Sequence, residues 1–189
     1  MYSKTVMMLA VLMVLAGLRE TQAATEVGGA LRGNERWSVE GNPYRLVQNL
    51  EVPEGLTLVI EPGVRIESKD YDLYVRGTLI AKGTQAAPIR FTSLEPETPG
   101  SWGPLVFLKT AISADYDSGG NYRSGSILRY CHIEYGQGIV VKETSPLIEH
   151  CLIQQNSRFK EHGGGVLAYR GNPRIRHCRF LHNRTDYNG

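Results

Sequence analysis

Short apolar runs broken by turn residues fill the chain from residue 56 onward. Leu56-Thr57-Leu58-Val59-Ile60 stops at Glu61-Pro62-Gly63 and resumes as Val64-Arg65-Ile66. Leu73-Tyr74-Val75 passes through Arg76-Gly77 into Thr78-Leu79-Ile80-Ala81, turns at Lys82-Gly83-Thr84, and returns as Ile89-Arg90-Phe91-Thr92. Trp102-Gly103-Pro104 then opens Leu105-Val106-Phe107-Leu108. Runs this short, rich in β-branched and aromatic residues and bounded by Gly and Pro, predict strands. Residues 110–125 are polar and rich in Gly, Ser and Tyr, and read as a loop thrown out from one turn of the fold.

The C-terminal half repeats itself. Ser145-Pro146-Leu147-Ile148-Glu149-His150-Cys151-Leu152-Ile153-Gln154-Gln155-Asn156 recurs 27 residues later as Asn172-Pro173-Arg174-Ile175-Arg176-His177-Cys178-Arg179-Phe180-Leu181-His182-Asn183. A third copy, Leu128-Arg129-Tyr130-Cys131-His132-Ile133, lies 20 residues upstream, with Gly136 at the position of the closing Asn. Cys151 and Ile153, two apart, share one face of a strand. The three-residue step from Ile148 to Cys151 breaks that parity, so the chain bends at Glu149-His150, and equally at Arg129-Tyr130 and Arg176-His177. No 3.6-residue spacing is sustained, which excludes a helical repeat. Bent short strands repeated at one rung length stack into a solenoid. The spacing predicts three inward stacks: Leu128/Ile148/Ile175, Cys131/Cys151/Cys178 and Ile133/Ile153/Phe180.

Composition changes this picture mainly at the N-terminus. The 189 residues are 41% hydrophobic and 21% charged, with a net charge of +2. That is globular composition, and the dispersed Lys and Arg form no stripe for nucleic acid. Lys4 precedes the apolar run Val6 to Leu18, which is shorter than the ~20 residues of a membrane span. Thr21-Gln22-Ala23 places small residues at the −3 and −1 positions of a cleavage site. The expectation is a signal peptide over residues 1–23, a secreted or cell-surface chain (periplasmic or extracellular), and no membrane span after cleavage. Residues 24–54 then form an N-terminal cap and the first strands, with Trp37 and Tyr44 as packing anchors. Rungs fill residues 55–189 around the insertion at 110–125. Nothing resembling a capping helix follows Asn183, so the solenoid is expected to be incomplete at its C-terminus and to self-associate through that end.

These residues carry a family likeness. Val52-Pro53-Glu54-Gly55, Leu58-Val59-Ile60-Glu61-Pro62-Gly63-Val64, Gly77-Thr78-Leu79-Ile80-Ala81-Lys82-Gly83-Thr84 and Pro88-Ile89-Arg90-Phe91-Thr92-Ser93 resemble the opening rungs of bacterial secreted β-helix repeat proteins of the pectin-lyase-like superfamily. The later Pro-x-Ile-x-His-Cys units resemble their generic rungs, so the likeness covers about residues 37 to 189. It implies an all-β, right-handed parallel β-helix. The superfamily holds lyases, glycoside hydrolases and adhesins, so fold alone does not fix the chemistry.

Candidate residues follow from the repeat. Asn156 and Asn183 close equivalent rungs and are expected to bond side chain to side chain. Cys131, Cys151 and Cys178 are expected as a buried thiol ladder, with one strained disulfide as the alternative, since side chains in register point in parallel. Arg129, Glu149 and Arg176 share a bend position and form an exposed charge ladder that doubles as a surface-binding candidate. Asp70 and Asp72, and Asp115 and Asp117, are weak calcium candidates, because paired loop oxygens suit that ion. No other cofactor is implied. Hydrolases need two carboxylates on neighbouring rungs, and Glu134, Glu143, Glu149 and Glu161 fall at non-equivalent positions, so no catalytic residue is assigned. The expected function is an exported non-catalytic β-helix presenting a stacked surface to polysaccharide or to a cell-surface component. The alternative is a carbohydrate-active enzyme, lyase or glycoside hydrolase, whose catalytic rungs are missing or unrecognised.

Overall fold

The computed structural model describes residues 23–94, 98–159 and 162–185. The leader expected over 1–23 therefore lies outside the described residues except for Ala23. Within them the chain winds as a parallel β-helix with three strand-bearing faces. Face A stacks Glu35–Trp37, Thr57–Ile60, Thr78–Lys82, Ile127–Arg129, Leu147–Glu149 and Arg174–Arg176, every pair parallel. Face B stacks the start of Tyr44–Val52 with Arg65–Ser68, Ile89–Ser93, Cys131–Glu134, Leu152–Gln154 and Arg179–Leu181. Face C stacks the end of Tyr44–Val52 with Leu73–Val75, Leu105–Phe107, Ile139–Lys142 and Val166–Tyr169. Tyr44–Val52 runs through the corner between B and C, which joins the two faces into one continuous sheet. Thr25–Ala30 pairs alongside it at the N-terminal edge.

The side-chain period of two decides what fills the interior. Ile66, Phe91, Ile133 and Ile153 stack in one inward row of face B, all at most 3% exposed. On face A, Ile60, Ala81, Leu128 and Ile148 form the corresponding row. Each such Leu, Ile or Phe contributes about 1.5–3 kcal/mol by leaving water. Trp37 stacks on Tyr44 with ring centroids 4.5 Å apart and closes the N-terminal rung. In the last described rung Ile175 and Phe180 keep the inward register but are 40% and 47% exposed, against 0% for Ile148 and Ile153 one rung below.

Residues 110–125 depart from the expected free loop. Asp115–Tyr116 and Tyr122–Ser124 pair as a small antiparallel hairpin. It leans along face A, where Ile127 and Leu147, at outward positions, are fully buried. The Lys82 ammonium lies 4.6 Å from the Tyr122 ring and the Arg174 guanidinium 3.7 Å from the Tyr116 ring. Ile112 N–H donates to the Gly77 carbonyl and Ala114 N–H to that of Ser145. The insertion is thus fastened to several rungs.

The Asn positions form a continuous ladder. Gly136 N–H donates to Asn156 Oδ1 at 3.0 Å, while Asn156 Nδ2 donates to the Ile133 carbonyl at 2.9 Å and to Asn183 Oδ1 at 2.8 Å. Asn183 Nδ2 repeats the pattern onto the Ile153 carbonyl at 2.7 Å. Asn156 is fully buried, so its loss leaves buried backbone groups without partners. Asn156→Ala is expected to lower unfolding free energy by about 2–4 kcal/mol, and Asn183→Ala, where water can substitute, by roughly half as much, in urea titrations followed by circular dichroism.

Candidate functional site

The corner between faces A and B is built from one residue per rung. Tyr130, His150 and His177 occupy it with φ of 48°, 52° and 54°. A left-handed conformation costs a side-chain-bearing residue roughly 1–2 kcal/mol, but it aims the amide along the solenoid axis. Tyr130 N–H accordingly donates to the Glu149 carbonyl, and His150 N–H to that of Arg176. The same geometry forces the three rings into a column. Tyr130 and His150 stack at 4.8 Å, as do His150 and His177, with planes within 15° of parallel. The repeat placed the bend here but gave no sign of the ring column. The signal was present all the same, as an aromatic ring immediately before the Cys in all three copies.

An open groove of about 530 Å³ runs beside this column, lined by Gln85, Tyr130, His132, His150, His177 and Arg179 among others. It crosses four rungs, roughly 14 Å at the spacing of paired strands. His132 and Arg179 come from the outward row of face B, which reads Arg65, Arg90, His132, Leu152, Arg179 in register. His132 Nδ1 is buried and has no hydrogen-bond partner. Burial, then the Arg90 charge, push the His132 pKa down, with Glu134 opposing.

On the face A side of the corner, Lys82, Arg129, Glu149 and Arg176 stand in one outward row. Two features of the expected charge ladder need correcting. Glu149 is the last residue of its strand, so the bend falls on His150 alone. It is also only 3% exposed, because Arg129 and Arg176 close over it from the neighbouring rungs and the hairpin packs close by. Burial pushes the Glu149 carboxyl up, but hydrogen bonds from Arg176, at 2.6 Å, and Arg129 outweigh it and hold the carboxyl below its ordinary value. A carboxylate so enclosed is a fastening between rungs rather than a group open to ligand.

A second acidic row escaped the sequence. Glu67, Thr92, Glu134 and Gln154 share one outward register on face B. Glu67 accepts from Arg65 at 2.7 Å and from Arg45 at 3.3 Å, and Glu134 accepts from Gln154 at 2.9 Å and from Arg90 at 3.2 Å. Glu134 therefore does have an equivalent, two rungs below, hidden by the insertions between them. Both carboxylates are clasped by guanidinium groups from their own or neighbouring rungs.

A model of the pectate-lyase-like β-helix domain matches residues 34–148, from the first strand of face A to the fifth. The chain belongs to the pectate-lyase-like β-helix family. No curated protein and no solved structure matches it.

Other site candidates of this β-helix domain lie apart from the groove. Asp117 spends both oxygens on the Asn121 turn, at 2.8 and 3.0 Å, and Asp115 lies 3.7 Å from Arg123. Asp72 accepts from the Tyr74 hydroxyl, and that bond, followed by burial, pushes the Tyr74 pKa up to about 12. Asp70 is exposed in the bend after the strand Arg65–Ser68, with φ of 66°. Among the described residues no three His, Cys, Asp or Glu side chains are grouped to hold a metal ion. Cys131, Cys151 and Cys178 are free thiols. They bond to the carbonyls of Ala81, Leu128 and Ile148, one rung below in each case. Bonding to its neighbour thiol, then burial, push Cys178 well above the ordinary thiol value, which keeps the nucleophilic thiolate scarce.

Glu149→Gln leaves two guanidinium groups without their counter-charge. A fully buried pair loses several kcal/mol in this way, but Arg129 and Arg176 are 33% and 36% exposed. The expected loss is roughly 2 kcal/mol, a fall of about 4–8 °C in Tm by calorimetry. His132 acts with the opposite pH sign to a paired group. Its folded pKa lies below its unfolded value, so between the two the unfolded chain holds a proton that the folded chain lacks. Its contribution is favourable above the unfolded value and is lost as pH falls through that window. His132→Gln is expected to show a smaller drop in Tm than the parent protein between neutral and mildly acidic pH.

Proposed function

We propose that this β-helix is an exported, non-catalytic protein that binds a polysaccharide along the groove between faces A and B. The observation that carries the reading is the column of Tyr130, His150 and His177 beside His132 and Arg179, continuous over three rungs. Ring edges and a guanidinium repeated at strand spacing offer hydrogen-bond donors and apolar surface together, which is what a hydroxyl-rich polymer needs. Export is supported by the apolar leader from Val6 to Leu18 and its small-residue cleavage site. A cell-surface component bearing the same sugars would meet the same groove.

A second reading, a glycan-cleaving enzyme, draws on Glu67 and Glu134 in one row. Two rungs separate them by roughly 10 Å at strand spacing, near the wide end of the range for inverting hydrolases. Their guanidinium partners favour the first reading. The mature chain, tested by affinity electrophoresis against a panel of plant and bacterial polysaccharides, is expected to be retarded by at least one of them. Arg179→Ala should weaken that retention about tenfold, the worth of one charge-assisted bond. Reducing ends or unsaturated products released by the parent protein, and abolished by Glu134→Gln, would place the enzyme reading first.

A further inference from the structure

We propose that the chain assembles with copies of itself head to tail, the arginine-rich C-terminal rung of one molecule docking on the glutamate-bearing N-terminal end of the next. The contact is independent of polysaccharide binding in the groove. It gives the self-association expected from the open end a second surface, a polarity and a force that selects both.

Among the described residues, both ends of the solenoid present strands that are paired along one edge only. Val166–Tyr169, Arg174–Arg176 and Arg179–Leu181 each pair with the strand below and with nothing above. Thr25–Ala30 and Glu35–Trp37 are the corresponding edges at the other end. An open edge of this kind is a template for a further strand. Val166, Ala168, Ile175 and Phe180 also border an open hollow of about 480 Å³ at the C-terminal end. The surface thus offers apolar contact within a polar rim, as a protein interface does.

Charge decides what can cover that surface. Residues 162–185 hold Arg170, Arg174, Arg176, Arg179 and Arg184 and no acidic residue. Arg176 is engaged by Glu149 and Arg174 by the Tyr116 ring, while Arg170, Arg179 and Arg184 are exposed. Residues 23–54 hold five glutamates against three arginines. Two of those arginines, Arg36 and Arg45, turn to the second rung and meet Glu61 at 2.9 Å and Glu67 at 3.3 Å. Glu26 and Glu35 remain at the N-terminal end, lining a depression there together with Arg32. Two C-terminal ends placed face to face would oppose one arginine set to another, and the two-fold axis would reverse strand direction at the junction. A head-to-tail contact sets arginine against glutamate and keeps the strands parallel, as they are within the solenoid. Because its two surfaces differ, such a contact does not close on itself. Each added copy presents a fresh C-terminal rung, and assembly continues as an open file.

The test is sedimentation velocity of the mature chain over a range of concentrations and salt. Dimers, trimers and longer species should grow with concentration, with the association constant falling about tenfold between ~0.05 and ~0.5 M NaCl. Glu26→Arg at one end and Arg170→Glu/Arg184→Glu at the other change exposed side chains, and each variant should associate about tenfold more weakly than the parent. Mixed in equal amounts, the two variants should recover the long species, because every junction of an alternating file again sets opposite charges together. Recovery on mixing cannot arise from misfolding of either variant, so the test stands even if one of them is less stable. A monomer at every concentration, or a species that stops at the dimer, would overturn the inference. So would association that is indifferent to salt and to both variants, or a mixture that associates no better than its components.

Discussion

Rung-to-rung backbone pairing at one fixed pitch is the constraint from which the rest of this molecule follows. On each face the strand amides donate along the axis to a parallel neighbour. A chain that keeps this pairing while turning a tight corner needs an occasional residue with its amide still pointing along the axis. The left-handed conformation of Tyr130, His150 and His177 supplies it at one corner, and that of Tyr135, Gln155 and His182 at the next. Identical pitch at every position then makes columns of side chains unavoidable. The inward aliphatic rows, the Asn ladder, the thiols and the Arg129–Glu149–Arg176 fastening are all products of that geometry.

Much of this was legible before any coordinates. The pairs Leu128–Ile148–Ile175 and Ile133–Ile153–Phe180 follow from Pro-x-Ile-x-His-Cys spacing, because a period of two and one parity break leave little freedom. What stayed hidden has physical reasons. The equivalence of Glu67 and Glu134 is obscured because two insertions lengthen the path between their rungs, so no simple sequence offset links them. The burial of Glu149 depends on what neighbouring rungs and the hairpin lay over it, and a rung repeat carries no record of such cover. The ring column depends on a left-handed corner conformation that few residues other than Gly adopt, and no spacing rule marks which residue takes it.

The groove gathers what repetition leaves unsatisfied. Elsewhere on the outward faces cations meet carboxylates, as Arg45 and Arg65 do at Glu67. Beside the ring column this compensation lapses: Leu152 stands where an acid could have sat between His132 and Arg179. The same row geometry that neutralises charge in one place thus presents it in another.

The hairpin Asp115–Tyr116/Tyr122–Ser124 bears on how such a column would come apart under load. Rungs joined only to their neighbours can peel away one at a time from an end, each step breaking a few parallel hydrogen bonds. The hairpin and its stem contact Gly77 and Lys82 in the third rung, Ser145 in the fifth and Arg174 in the sixth, reaching across the fourth. Pulling the sixth rung outward must therefore drag the strap with it and load the third at the same moment. The insertion acts as a tie bar across four turns of the coil, turning a sequence of small mechanical failures into one large one, in the stretch of wall that carries the groove.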